Sequence, residues 1–499
     1  MKQLKKGWLV IVLLLSLAVS GTAAAEREDW TFIDGNASTI GLNENSGLSA
    51  NRPKPAVLDD KLYIAWSETS NYYNGEGRIY VSSYDGSEWT LVSGADGLSA
   101  DPSKPANEVA IAAWDGKIAV AWQEQDDTGK FQLHVKFYDP QTQAWQWAGQ
   151  AEGLNYDTGQ DFHWVSMATD GETLYVGWQE NRGGGTALHV KKYDAAQNQW
   201  EWADGGLASG LNHYENGGGL GAEIVLAGGG GKLYATWLER SGGTSAGTKQ
   251  IRAKMYDPTT ESWTSIDGGQ DNGLNYDETK QAEKPVASYH NSKLYVAWQE
   301  AGETRNQVRV KAYDGESWSF VDGGGAAGLN IDSNQAANKP ALAVIDGQLH
   351  IGFTEAYYYM PPVLSAQQVH VARFDESDAS WTFLDGGTAL GLNKVTQNMA
   401  DQVSVIGMGG DVYAFWLEYA SSIYQLRAAV YSPQPAYLKG DINGDGQVTP
   451  ADALFITKYM QGKITLTPLQ IEILDMDGNE VLDNTDVQMI MMIYLGAVA

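Results

Sequence analysis

Two stretches near the end of the chain carry oxygen donors at the spacing that a divalent cation needs. The first runs Asp441-Ile442-Asn443-Gly444-Asp445-Gly446-Gln447-Val448-Thr449-Pro450-Ala451-Asp452. The second starts 34 residues later as Asp475-Met476-Asp477-Gly478-Asn479-Glu480-Val481-Leu482-Asp483-Asn484-Thr485-Asp486. Side-chain oxygens at loop positions 1, 3, 5 and 12, with a backbone carbonyl at 7, wrap a hard cation such as calcium. The candidate ligands are Asp441, Asn443, Asp445, Gln447, Thr449 and Asp452 in one loop, and Asp475, Asp477, Asn479, Val481, Asp483 and Asp486 in the other. Gln447 and Val481 would serve through their carbonyls. Position 6 is Gly446 in the first loop and Glu480 in the second, where the sharp turn favours a residue tolerant of positive φ. Two calcium ions are expected, the second held less firmly. Each loop runs into an apolar helix, Leu454, Phe455, Ile456 and Tyr459 after the first and Val487, Ile490, Met491 and Tyr494 after the second. No full helix is expected before either loop.

Upstream, chemistry-bearing residues occur at fixed places in a repeat. Fourteen residues before a recurrent strand aromatic lie Arg52, Glu108, Trp164, Glu223, Lys284, Lys339 and Gln402. A position that served packing alone need not vary from cation to carboxylate to indole. Glu108 and Glu223 are the paired carboxylates that glycoside hydrolysis would require. His163, Tyr156, His213 and Tyr214, expected in neighbouring loops between one repeat copy and the next, could support proton abstraction beside a uronate carboxyl. Tyr72, Tyr73, Tyr357, Tyr358 and Tyr359, expected in loops, could stack on sugar rings, as could Trp164. The plainer alternatives are solvated surface residues and tyrosines that merely cover the ends of the repeat units. By contrast Glu68, Glu124, Glu180, Glu239, Glu300, Glu355 and Glu418 recur identically, which argues for a shared structural task such as accepting backbone N–H groups.

The elements that must position these residues follow from the repeat itself. A tryptophan recurs every 55 to 63 residues (Trp30, Trp89, Trp145, Trp200, Trp263, Trp318, Trp381). After it come a Gly-Leu-Asn loop, a short apolar strand, a strand of the type Leu294–Glu300 and a strand of the type Val308–Asp314. Alternating apolar residues with Gly/Asp punctuation specify short antiparallel strands. Four strands per copy in seven copies predict a seven-bladed β-propeller. The seventh copy lacks its outermost strand and the segment at Trp30 is an orphan of that type, so the N-terminal strand should close blade seven and remove an open edge. The expected fold is mainly β, a propeller followed by a small α-helical calcium-binding domain.

The tandem loop-helix, Gly440-Asp441-Ile442-Asn443-Gly444-Asp445-Gly446-Gln447-Val448-Thr449 through Tyr459-Met460-Gln461-Gly462, resembles a type I dockerin over residues 438–496. The resemblance implies docking onto a cohesin domain of a scaffold or surface protein, usually within polysaccharide-degrading machinery. It also implies that loop positions 10 and 11, Pro450, Ala451, Asn484 and Thr485, contact the cohesin. These are not the family's common Ser-Thr, which leaves the particular cohesin open.

Lys2, Lys5 and Lys6, an apolar run from Trp8 to Val19 and Ala23-Ala24-Ala25 read as a secretory signal peptide. The organisation expected is a leader over 1–25, a propeller over 26–434 and a dockerin domain over 435–499, in a secreted protein with no membrane span in its mature chain. The chain has no cysteine, which excludes a disulfide framework and thiolate chemistry. A net charge of −29 disfavours nucleic acid and anionic membranes as partners. Three functions fit: a carbohydrate-binding or adaptor component of a polysaccharide-degrading assembly, a glycoside hydrolase or polysaccharide lyase, and a non-catalytic cell-surface scaffold.

Overall fold

The computed structural model describes residues 29–35, 40–70, 77–149, 153–214, 220–359, 364–432, 438–479 and 481–496. The expected leader lies outside them. The chain divides into two compact units that part after Ser432.

In the first unit, seven antiparallel sheets of four strands form the blades of a propeller. We call the strands of each blade A to D, from the innermost outward. Blades one to six occupy residues 49–91, 106–147, 162–202, 222–265, 282–320 and 337–383. Blade seven takes its A, B and C strands from Ala400–Met408, Asp411–Ala420 and Ile423–Tyr431. Its D strand is Trp30–Phe32, which pairs antiparallel with the C strand in the register Trp30↔Tyr431, Thr31↔Val430 and Phe32↔Ala429. The two ends of the ring are thus held in one sheet.

The B strands are buried on both faces because each lies between neighbouring blades. Trp66, Trp122, Trp178, Trp237, Trp298, Phe353 and Trp416 are all essentially inaccessible. Each apolar cluster joins residues of adjacent blades; Leu133 and Val135 of blade two, for example, pack with Val176 and Trp178 of blade three. Burying one indole, roughly 200 Å², contributes about 5 kcal/mol before conformational entropy is charged against it. The repeat tryptophan of the D strand has a different task. Its indole N–H donates to a carbonyl of the preceding blade, as in Trp89 to Ile33 O at 2.8 Å and Trp200 to Ala148 O at 2.8 Å. All seven make this bond, and Trp30 donates to Leu384 O of blade six at 2.9 Å, carrying the pattern through the closure.

The second unit holds three helices among its described residues: α1 (Pro450–Met460), α2 (Pro468–Leu474) and α3 (Asn484–Tyr494). Helix α2 stands directly before the second calcium-type loop, where no full helix was expected. Its signal is Thr467-Pro468-Leu469-Gln470, a capping box with proline in the first turn, spread over two turns only. Ala453, Ile456, Leu474, Leu482 and Ile490 form the small core. Leu454 and Tyr494, assigned to the apolar helix faces by sequence, are instead 48% and 56% exposed.

Candidate functional sites

The identical glutamates are structural. Each carboxylate accepts the N–H groups of two consecutive residues after the Gly-Leu-Asn loop, at 2.6–3.0 Å in every blade: Tyr156 and Asp157 on Glu180, Tyr276 and Asp277 on Glu300. In six blades the strand-B indole N–H also donates to the same carboxylate, at 2.8–3.3 Å. Phe353 lacks that donor in blade six; burial pushes the Glu355 carboxyl up, as it does that of Glu68 where the indole donor is present. The loop asparagine completes the tie: in six blades its side-chain oxygen accepts a strand-C N–H at 2.8–3.1 Å.

The variable positions behave differently. All seven (Arg52, Glu108, Trp164, Glu223, Lys284, Lys339, Gln402) line one cavity of about 330 Å³ at the ring centre. Each sits at an irregularity in the strand A–B pairing and has a left-handed backbone, with φ between 39° and 58°. A bulge of this kind re-aims a side chain, and a non-glycine residue holds it at some cost in strain. Ion pairs join neighbouring blades in three places. Arg52 pairs with Glu108, and Lys284 pairs with Glu223 through its ammonium while its backbone N–H donates to the same carboxylate at 2.7 Å. Lys339 holds both oxygens of Asp401 at 2.6 and 2.8 Å. The backbone N–H of Arg52 donates to Gln402 Oε1 at 2.7 Å. The indole of Trp164 in blade three lies between non-adjacent blades: the Arg52 guanidinium is 4.9 Å and the Lys284 ammonium 4.1 Å from its ring centre. Glu108 and Glu223 therefore share a cavity, each committed to a cation, and Trp164 is flanked by charge.

His163 is not in a loop. It belongs to strand A of blade three, paired with Gln179, beside Trp164. Burial, assisted by the nearby Arg52 cation, draws its imidazole below the ordinary value. His213 stays in its loop, where its ring meets that of Tyr214 at 4.6 Å; burial and then Arg252 lower it as well. The Tyr214 hydroxyl donates to Asp271 at 2.8 Å and accepts from Gly242 N–H at 2.8 Å, while the Tyr156 ring stacks on His189 at 4.8 Å. Tyr357, Tyr358 and Tyr359 end the long B strand Gln348–Tyr359 rather than occupying a loop. Tyr357 is half-buried. Tyr72 and Tyr73, like the side chains of Tyr358 and Tyr359, lie outside the described residues.

A further set escaped the sequence reading. Opposite the strand-B aromatics, strand C carries buried His189, Arg252, Arg309, His370 and Arg427 in five blades. Each faces an aspartate four residues after the D-strand tryptophan: Asp204 (2.9 Å), Asp267 (3.5 Å), Asp322 (3.6 Å), Asp385 (2.6 Å) and Asp34 (2.9 Å). Blades one and two have Ser93 and Gly149 at the aspartate position, opposite Tyr80 and His134. The signal was available, since aspartate recurs only where strand C supplies Arg or His in five of the six such blades.

In the second unit both loops are folded around their first aspartate. Asp441 accepts N–H bonds from Gly444 at 2.9 Å and Gly446 at 2.8 Å; Asp475 accepts from Gly478 at 2.9 Å and Asn479 at 3.1 Å. Position 9 of each loop caps the following helix and position 12 closes the box: Thr449 with Asp452 for α1, Asp483 with Asp486 for α3. Carboxylate oxygens of Asp475, Asp477 and Asp486 lie within 4.8 Å of one another, the one acidic group among the described residues dense enough to hold a metal. Desolvation by the surrounding loop, with Asp486 and Asp475 beside it, raises the carboxyl of the exposed Asp477. These donors fit a hard cation. Glu480 lies outside the described residues.

Residues 439–493 match the dockerin type I domain. The C-terminal module is a type I dockerin. Dockerins generally bind calcium and imply assembly through a cohesin. In this dockerin Pro450, Ala451, Asn484 and Thr485 are all exposed, in the first turns of α1 and α3. For the rest of the chain, similar solved structures include a Trypanosoma rangeli sialidase in complex with the inhibitor DANA (11% identity, TM-score 0.44, 88% of this chain and 64% of that one). A Mycobacterium tuberculosis puromycin-hydrolyzing peptidase is similar at 11% identity and TM-score 0.44, over 76% of this chain and 53% of that one. The chain thus spans less than two thirds of either structure's length. No curated protein matches it. Among the described residues no helix is long and apolar enough to cross a membrane.

Proposed function

We propose that this is a secreted propeller, carried by its dockerin onto a cohesin of an extracellular polysaccharide-degrading assembly, where it serves as a carbohydrate-binding component. The observation that carries the reading is the contrast at the channel. Seven strained, non-glycine residues of differing chemistry face one cavity, in a chain that uses 57 glycines elsewhere. Glycine would relieve that strain, so the side chains are retained for what they touch. The carboxylates there are engaged by Arg52 and Lys284, which suits ligand binding better than a free acid and base. The dockerin holds two calcium ions on Asp441, Asn443, Asp445, Gln447, Thr449 and Asp452, and on Asp475, Asp477, Asn479, Val481, Asp483 and Asp486. Pro450, Ala451, Asn484 and Thr485 meet the cohesin.

A hydrolase or lyase is the second reading, favoured by the presence of Glu108 and Glu223 in one cavity with His163 on the adjoining strand. Glycan arrays combined with reducing-sugar and unsaturated-uronate assays separate the two. Binding without product is expected; turnover that disappears in Glu108→Gln or His163→Ala would overturn the binding reading. Removing calcium with a chelator is expected to abolish capture by cohesin-bearing scaffolds and to reduce dockerin helicity, because the loops supply converging carboxylates that need a cation. Unchanged circular dichroism on chelation would refute the calcium sites.

A further inference from the structure

The channel cavity has a charge balance opposite to that of the protein. The chain has 33 Lys and Arg against 62 Asp and Glu, yet the cavity is lined by Arg52, Lys54, Lys284 and Lys339 against Glu108 and Glu223. Three of those cations are committed, Arg52 to Glu108, Lys284 to Glu223 and Lys339 to Asp401. Lys54 has no ion-pair or hydrogen-bond partner among the described residues. It lies two residues from the bulge, crowded by the channel wall yet open to the cavity. Desolvation by the surrounding wall and then the neighbouring Arg52 cation bring its amine down to about 8, although the side chain is exposed within the cavity.

We infer that this cavity takes the terminal acidic sugar of a glycan, a uronate whose carboxylate sits on the Lys54 ammonium. The inference rests on the carbohydrate-binding reading and names its ligand class. One uncommitted cation matches one carboxylate; a phosphate ester, with up to two charges, would leave charge unpaired. A volume of about 330 Å³ lies at the small end of ligand sites, roughly 300–1,000 Å³, and so admits a chain end rather than a long segment. Entry is end-on because seven closed blades surround the site. Val225 and Val286, both half-buried, offer apolar wall to the C–H faces of a sugar ring. Gln402 and the remaining lone pairs of Glu108 and Glu223 can meet its hydroxyls.

The test uses the full-length, calcium-loaded protein with glucuronate and galacturonate as probes, glucose and galactose as their neutral counterparts, and benzoate as a non-sugar carboxylate. Titration calorimetry and ligand-observed NMR should show each uronate binding at least about tenfold tighter than its neutral parent, the scale of one charge-assisted bond. Lys54→Gln should erase the difference and Lys54→Arg should retain it, with melting temperatures checked to confirm folding. Equal binding of uronate and neutral sugar by the unaltered protein would overturn the inference, as would a preference that survives Lys54→Gln. Benzoate binding as tightly as uronate would overturn the sugar assignment. Neutral glycans bound on an array without any acid preference would sink the uronate site and leave the carbohydrate reading standing. No response to any glycan would sink both.

Discussion

Two rings of seven residues, sixteen positions apart in every repeat, obey opposite rules. The glutamates from Glu68 to Glu418 are identical and buried, and each holds the same two backbone N–H groups. The strand-A residues from Arg52 to Gln402 share a backbone conformation and nothing else. Where every blade needs the same hydrogen bonds, one side chain is repeated; where the blades jointly face one cavity, the seven positions hold five residue types. Within this repeat, identity marks packing chemistry, and divergence under a fixed backbone marks the position on which the proposed ligand site rests.

The sharpest way to break this comparison is to cut one member from each ring. Glu180→Ala strands the N–H groups of Tyr156 and Asp157 and the indole N–H of Trp178 in a buried setting. A loss of about 3–5 kcal/mol is expected in denaturant unfolding. Gln402→Ala removes one acceptor at the channel and should cost within about 1 kcal/mol. Comparable losses at the two sites would mean that the channel ring is a packing device after all.

Blade six is the repeat's natural exception, and it sharpens the rule through pH. Where five blades carry tyrosine on strand B (Tyr63, Tyr175, Tyr234, Tyr295, Tyr413), blade six has His350. Burial lowers this imidazole to about 4. A group with a depressed folded-state value contributes its full stability above the unfolded value of about 6.5 and loses it as pH falls toward 4, because the unfolded chain takes the proton first. The total is about 3 kcal/mol. Unfolding midpoints followed from pH 7 to 4 should decline less steeply in His350→Tyr, and parallel curves would place the acid sensitivity elsewhere.

Much of this was legible in the sequence for physical reasons. Short strands alternate with period two and the D-strand tryptophans mark each copy, so blade number and closure by Trp30–Phe32 could be counted. The dockerin loops were legible because cation geometry fixes donor spacing. The channel positions were legible as a column of unlike residues at constant offset. Their left-handed φ was not, since Arg, Glu, Trp, Lys and Gln carry no turn signal. Nor were the partners, because Arg52–Glu108 joins positions 56 apart and Trp164 reaches cations in blades one and five. Helix α2 was missed because two turns leave too short an apolar period to read.

The smallest effect tests whether the identical positions can be improved by the repeat's own logic. Blade two carries Ser99 where the other six have asparagine, and its hydroxyl is buried without a hydrogen-bond partner. The backbone beside it keeps the family geometry, with Leu98 N–H donating to Ile79 O at 2.9 Å just as Leu154 N–H donates to Leu133 O at 2.9 Å. In the third blade Asn155 then accepts from Leu133 N–H at 2.9 Å and donates to Phe131 O and Gln160 O. Ser99→Asn should let the new amide accept from Ile79 N–H in the same way and raise stability by about 1 kcal/mol. Thermal unfolding would read this as a rise of a few degrees at most. A fall would mean that the blade-two loop departs from the repeat where the backbone bonds say it conforms, and that identity alone does not identify a packing position.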